Sequence, residues 1–271
     1  MTGGATARPG SGLYVYGVVR ADTPPDLFAD VRGVDPTRPV AVLAEGEVAA
    51  IVSRVSLDEF GADAIAENLR VADWIAAKVR AHDDVLGATV GRAAVVPFRF
   101  GAIYGGEESV RTMLRERADL ADRLETLSGR MELGVKGYVD REQVRALLAR
   151  ERGVGDNAPD TGRAYMERRR LDRELEDEVR ERAMRWATAG HERLAAAADD
   201  ARSSPARQDE AAPSSSMMFL NGAYLVREED AERFRTALGE LAESQRADGV
   251  TYELTGPWPA YSFVGEEEEP G

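Results

Sequence analysis

Histidine occurs only at His82 and His191, and the chain contains no cysteine. A three-histidine metal site, a thiolate nucleophile, an Fe–S cluster, cysteine-bound zinc and a disulfide are therefore excluded. The residue types left for metal or acid–base chemistry meet at His82-Asp83-Asp84, one imidazole beside two carboxylates. Neighbouring residues on a helix point in different directions, and the second histidine is far off in sequence. The triplet reads as a polar helix end, so His82→Ala is expected to have a mild effect. Asp156, Asn157 and Asp160 match a calcium loop in composition only, without the ligand spacing or the glutamate at the twelfth position. Gly101, Gly105 and Gly106 lack the spacing of a dinucleotide fingerprint, no P-loop lysine follows, and Glu107 and Glu108 occupy the helix start beyond them. Ser214–Ser216 has neither a nucleophile elbow nor a histidine partner. The Arg168-Arg169-Arg170 run lies in a stretch, 163–193, with nine arginines against eight acids, the mark of an exposed helix laced with ion pairs. The reading is a protein without a catalytic, cofactor or metal site; an enzyme of unknown type would have to rest on His82, Asp83 and Asp84.

The aromatic residues are more informative. In Gly256-Pro257-Trp258-Pro259 the two prolines hold the chain extended and remove two backbone donors. The stiff segment carries Trp258, Tyr261 and Phe263, either as hot spots of a partner-binding surface or as a plug in the core. The core reading is favoured, and Trp258→Ala is then expected to cost about 3–5 kcal/mol of stability. Phe98 and Phe100 pose the same choice. They share one face of an apolar strand in which Pro97 marks an edge or bulge and Arg99 calls for a carboxylate or carbonyl partner. The candidate partner-binding residues are therefore Phe98, Phe100, Trp258, Tyr261 and Phe263.

The elements that must position these residues follow from hydrophobic period. Leu13–Val19 is aromatic and β-branched, a strand, and the four prolines of 22–39 make a loop. Val40–Leu43 and Val48–Val55 flank a hairpin turn at Gly46. Ile65, Leu69, Ala72, Ala76, Val79 and Leu86 form the apolar stripe of one helix of about six turns. Ala94–Tyr104 is a strand, and a second helix runs from Glu107 to Leu127, ended by Gly129. Met131–Val139 opens a second unit as a strand. The segment 163–200 is one charged helix of roughly 57 Å, projecting or broken near Gly190. Its stripe (Leu171, Leu175, Val179, Ala183, Trp186, Leu194) covers its span in steps averaging about 3.8 residues when the gap from Trp186 to Leu194 is taken as two steps, off the 3.5 of a heptad seam. Met217–Val226 is a strand, Arg227–Arg246 a helix, Val250–Leu254 a strand, and 256–264 closes the fold. The fold class is α+β, two mixed α/β units, the C-terminal one ferredoxin-like. The expected division is a disordered tail at 1–12, a first domain at 13–129 and a second at 130–264. The second carries a flexible connector at 201–216, and an acidic tail at 265–271 follows.

With 271 residues the chain can bury a sizeable core, and its 35 basic against 49 acidic residues give a net charge of −14. That field repels nucleic acid and anionic membranes. No stretch approaches the roughly 20 apolar residues of a spanning helix, and no leader is visible at the N-terminus, so the reading is a soluble, cytoplasmic protein.

Taken in order, LYVYGVV at Leu13–Val19, VVPFRFGAIY at Val95–Tyr104, the Gly129-Arg130-Met131-Glu132 step into GVKGYV, NGAYLV at Asn221–Val226 and LTGPWPAYSF at Leu254–Phe263 resemble the GvpF/GvpL family of gas-vesicle accessory proteins. The resemblance spans Leu13–Val264 and does not separate the F from the L member. It implies a minor component of the gas vesicle that takes part in nucleation and assembly of the shell. The partners it implies are the hydrophobic shell protein and other accessory proteins. It also implies a ferredoxin-like C-terminal part and no catalytic residue or cofactor. An adaptor that joins accessory proteins without touching the shell protein is the alternative.

Overall fold

The structure, a computed structural model, describes residues 10–153, 162–206 and 215–264, without side chains at 162–165. The acidic tail at 265–271, residues 1–9 of the expected tail at 1–12, half of the connector at 201–216 and residues 154–161, with Asp156, Asn157 and Asp160, lie outside the described residues. The chain divides into two compact units, Met1–Glu132 with Pro257–Gly271, and Leu133–Gly256. The Pro257–Val264 segment thus counts with the first unit, where the sequence reading places it in the second.

In the first unit, strands β1 (Ser11–Arg20), β2 (Val40–Glu45) and β3 (Val48–Ser56) form an antiparallel sheet ordered β2-β3-β1. The short strands β4 (Val96–Pro97) and β5 (Ile103–Tyr104) share the free edge of β1. The sequence pattern is of a single strand over 94–104. Pro97 has no N–H for a continuous ladder, and the Gly101 N–H turns away to donate to the Tyr14 hydroxyl at 3.0 Å. Arg99 is accordingly exposed in the excursion between the two short strands rather than inside one. β1 begins at Ser11, two residues inside the expected disordered tail.

After a short helix, α1 (Leu57–Phe60), the expected long helix is two, α2 (Ala62–Asn68) and α3 (Ala72–Gly87). Asn68 donates its side-chain amide to the Glu59 carbonyl at 3.0 Å, while short-range bonds from Arg70 to Glu67 and Val71 to Asn68 tighten and close the turn before α3. The second expected helix is likewise interrupted at 117–119, giving α4 (Glu107–Glu116) and α5 (Leu120–Leu127).

Tyr14, Tyr16, Ala49, Ile51 and Val55 pack from the sheet against Phe28, Val34, Phe60, Val85 and Leu86. Val15, Ala50 and Val52 alternate with these along their strands and are buried too, as are Val110, Leu114, Leu120 and Leu124 of α4 and α5. The loop over 22–39 is fastened by Tyr16, whose hydroxyl accepts from the Val34 N–H at 2.9 Å and bonds Ser53 at 2.7 Å. A Cβ on Gly33 would sit 2.2 Å from that hydroxyl, so only glycine permits the approach.

The second unit contains β6 (Arg130–Asp140), α6 (Arg141–Glu151), α7 (Gly162–Ala195), β7 (Asp200–Ser203), β8 (Ser216–Arg227), α8 (Ala231–Gln245) and β9 (Val250–Trp258), with strand order β7-β8-β6-β9. The first and last of these strands along the chain, β6 and β9, each contribute a few residues to the first unit. The order β-α-α-β-β-α-β is longer than the β-α-β-α-β on which the ferredoxin-like expectation rests. Two elements are additions to the sequence reading. α6 is capped by Asp140, whose carboxylate accepts from the N–H groups of Glu142 and Gln143 at 2.9 and 3.1 Å. β7 occupies the start of the expected connector, pairing Asp200 with Leu225 and Ser203 with Gly222.

α7 is a single helix of 34 residues, about 51 Å long at 1.5 Å per residue. It buries Leu175, Val179, Ala183 and Leu194 as its stripe requires. Gly190 does not break it. A Cβ there would lie 3.1 Å from the Tyr252 hydroxyl, so the glycine serves close packing against β9.

Candidate interaction site

The expected stripe of the long helix divides in an informative way. Toward the core α3 presents Trp74, Lys78, His82, Val85 and Leu86, a face that mixes apolar bodies with polar tips. Trp74 donates to the Glu59 carboxylate at 2.8 Å, and Lys78 bonds the same carboxylate at 2.8 Å and the Val34 carbonyl at 2.7 Å. The Lys78 ammonium also lies 5.1 Å from the centre of the Phe60 ring. The plain aliphatic residues lie on the other side. Ala72 and Ala76 are exposed and Ile75 and Val79 half-buried. Just before them Leu69 and Val71 are 45% and 52% exposed. Trp258, also 45% exposed, stands beside this face. Ala72, Ile75, Ala76, Val79 and Trp258 line an open groove rimmed by Arg80, Asp83 and Asp84. Two alanines one turn apart leave room for another backbone to come close.

Trp258 is held from both sides. Pro257 and Pro259 stiffen its approach. Beyond it the Tyr261 hydroxyl donates to Asp83 at 2.8 Å, which joins the segment to α3. Burial, and then this bond to a carboxylate, raise the Tyr261 pKa, keeping the phenol protonated. Ser262 gives both its N–H and its hydroxyl to the Glu132 carboxylate at 2.8 Å each, and Arg123 donates to the Val264 carbonyl at 2.8 Å. Glu132→Ala would leave both Ser262 donors without that acceptor. It is expected to cost about 1–3 kcal/mol in a denaturant titration and to speed hydrogen exchange over 261–264.

The five aromatic candidates part company here. Trp258 is a surface residue, which corrects the core reading: it is the last residue of β9 and stands on the rim of the α3 groove. Tyr261 is partly exposed and Phe263 half-buried. Phe98 is buried in the first unit with the Arg117 guanidinium 5.2 Å from its ring centre, so it is covered rather than displayed. Phe100 is half-buried and joins Tyr14, Trp74 and His82 in an aromatic cluster at ring separations of 6.0, 6.3 and 6.0 Å.

His82 is not a polar helix end. It lies inside α3, 2% exposed, with Nδ1 2.9 Å from the Tyr14 hydroxyl and with no hydrogen-bond partner for Nε2. Burial pulls its pKa down to about 4 and outweighs the opposing pull of Asp83 and the Phe98 backbone, so the ring is neutral at neutral pH. Asp83 and Asp84 are exposed on the opposite side. The triplet does not converge on one point, and among the described residues no cluster of three or more His, Cys, Asp or Glu could hold a metal ion. No helix among the described residues is long and apolar enough to cross a membrane.

The chain is thus a mixed α/β protein of two units, with its acids dispersed, its central histidine sealed in the core and an aliphatic groove left open. The family model for gas vesicle synthesis protein GvpL/GvpF matches residues 12–265, and the chain belongs to this family. It is 31% identical to gas vesicle protein L of Streptomyces sp. (strain CB03234) over 94% of both chains. It is also 31% identical to gas vesicle protein F of the same strain, covering 93% of this chain and 98% of that one. The fold is that of the crystal structure of gas vesicle protein GvpF from Anabaena sp. PCC7120, with a TM-score of 0.70 at 20% identity, covering 96% of this chain and 99% of that one. Equal identity to an L and an F member leaves the two types unseparated, as the sequence fragments do.

Proposed function

We propose that this chain is a non-enzymatic minor component of the gas vesicle that assists nucleation and assembly of the shell. It does so by binding the hydrophobic shell protein, together with other accessory proteins, in the cytoplasm where the vesicle grows. The observation that carries the reading is the aliphatic face of α3 turned to solvent beside Trp258. A monomer gains nothing by exposing Leu69, Val71, Ala72, Ala76 and a tryptophan together, whereas a chaperone of an apolar subunit requires such a patch. A shell subunit exposes aggregation-prone surface until it is incorporated. An apolar segment of it laid in the groove is shielded, and the −14 net charge keeps the complex dispersed. Release follows from growth of the shell, which offers the same segment a larger apolar surface.

The test is capture of purified shell protein by the wild-type chain and by Ala76→Glu, which places a carboxylate in the middle of the groove without touching the core. Capture is expected to fall by about tenfold or more while the melting curve stays in place. Undiminished capture would remove the groove from the binding surface. Capture of accessory proteins alone would turn the reading into that of an adaptor. In cells, deletion of the gene is expected to abolish or deform the vesicles and leave growth unaffected.

A further inference from the structure

The outer face of α7 carries a second, independent pattern. Met166 and Met184 are the two most exposed large apolar residues among the described ones, at 63% and 62%. They are 18 residues apart, five turns of a 3.6-residue helix, so they project in the same direction about 27 Å from each other. Arg173 and Asp177 lie between them, each within about 20° of the same line at 100° per residue, and both are exposed. The pattern is a palindrome of chemistry, Met-Arg-Asp-Met, centred between Arg173 and Asp177.

We infer that this face pairs with the same face of a second copy of the chain, in an antiparallel, two-fold symmetric contact. The two-fold axis brings Met166 of each copy against Met184 of the other and Arg173 of each against Asp177 of the other. An isologous contact needs this self-complementarity, because each residue must satisfy its symmetry mate at once. Three further observations fit the pairing. Arg173 makes no ion pair with a carboxylate among the described residues; its Nε donates only to the Arg169 carbonyl, at 3.1 Å. Asp177 holds Arg180 at a long 3.4 Å, which leaves its carboxylate able to accept a second guanidinium. Beside Met184 the surface is hollowed, between Glu181, Arg185, Thr188 and Glu192, and offers a seat for an incoming methionine. Glu181 comes opposite Arg169 of the second copy and adds a pair of the right sign. The like-charged neighbours across the axis, Arg170 and Arg180, are each neutralised on their own helix, by Glu174 at 2.8 Å and by Asp177 and Glu176.

Five turns of helix on each side make a contact at the small end of specific interfaces, below about 1,200 Å². The association is therefore weak, reversible and sensitive to salt, suited to a protein that collects at a growing site rather than one that is permanently dimeric.

Mass measurement by light scattering or sedimentation across a concentration series of the full chain tests this. The wild type is expected to move from the 29.5 kDa of one chain toward twice that mass, less so as salt is raised. Asp177→Arg sets two arginines against each other across the axis and is expected to weaken association by about tenfold or more. Arg173→Asp does the same with two acids. An equimolar mixture of these two variants restores every Arg–Asp pair, and association is expected to return to the wild-type range. These positions are exposed, so unchanged circular dichroism and melting confirm that folding is not the variable. Wild-type chain that stays at one chain's mass at every concentration overturns the inference. So does a dimer indifferent to both reversals, or two variants that fail to recover on mixing.

Discussion

Acidification from neutral pH to about pH 4 is expected to remove roughly 3 kcal/mol of stability through His82 alone. The folded-state pKa lies near 4, below the ordinary value of 6.5, because the imidazole is sealed between Tyr14, Tyr16 and Phe100. As pH falls, the unfolded chain takes up the proton first. The contribution is complete above about 6.5 and declines steadily until the folded protein also protonates, near 4. Carboxylates add an acid sensitivity of their own, so the measurement is a difference. Urea midpoints of wild type and His82→Asn are compared from pH 7 down to pH 4, Asn keeping an amide for the Tyr14 hydroxyl. The variant's slope is expected to be the shallower by that amount; parallel slopes would mean that His82 is solvated. At neutral pH His82→Ala is expected to cost about 2–4 kcal/mol, from the cavity and from the Tyr14 hydroxyl, which keeps the Gly101 N–H but loses its imidazole partner. The mild effect expected of a helix-end histidine is thereby replaced, because the residue is part of the core.

For Trp258→Ala the expectation is the opposite pattern, a small effect on folding and a large one on binding. Nearly half of the side chain is already in water. Its loss should therefore lower the unfolding free energy by no more than about 1 kcal/mol. As the wall of the α3 groove it is the kind of rigid aromatic that dominates an interface. Its removal is expected to cost about 2 kcal/mol or more of shell-protein binding, roughly a thirtyfold rise in Kd. Denaturant midpoint and binding isotherm measured on the same preparation separate the outcomes. A midpoint lowered by about 3–5 kcal/mol with binding lost in proportion would return Trp258 to the core. A wild-type isotherm would free the groove of this partner.

The sequence by itself settles what depends on local period and on composition. The strand at β1, the hairpin turning at Gly46, the inward stripe of α7 and the strands at β6 and β8 are legible, because alternation and helical spacing are imposed by the backbone whatever surrounds it. The absence of cysteine and the presence of only two histidines rule out a disulfide, a cysteine-bound metal and a three-histidine site. The five ordered fragments carried the family resemblance that the family model and the relatives then bore out.

Tertiary structure decided which apolar face of a helix is the core. On α3 the residues that look like a buried stripe, Ala72, Ala76 and Val79, form the open groove. The buried face is the one containing Lys78 and His82. Hydrophobic spacing cannot distinguish these, because the long side chains of lysine and tryptophan bury apolar length and reach a partner only across the fold, here Glu59 and the Val34 carbonyl. The same holds for Trp258. Its proline-bracketed stiffness is a local property, but its side is set by Tyr261 reaching Asp83 and Ser262 reaching Glu132, contacts 178 and 130 residues apart in sequence. Hydrogen bonds of that range have no periodic signature. They are also what turns an aliphatic helix face and a tryptophan into one surface.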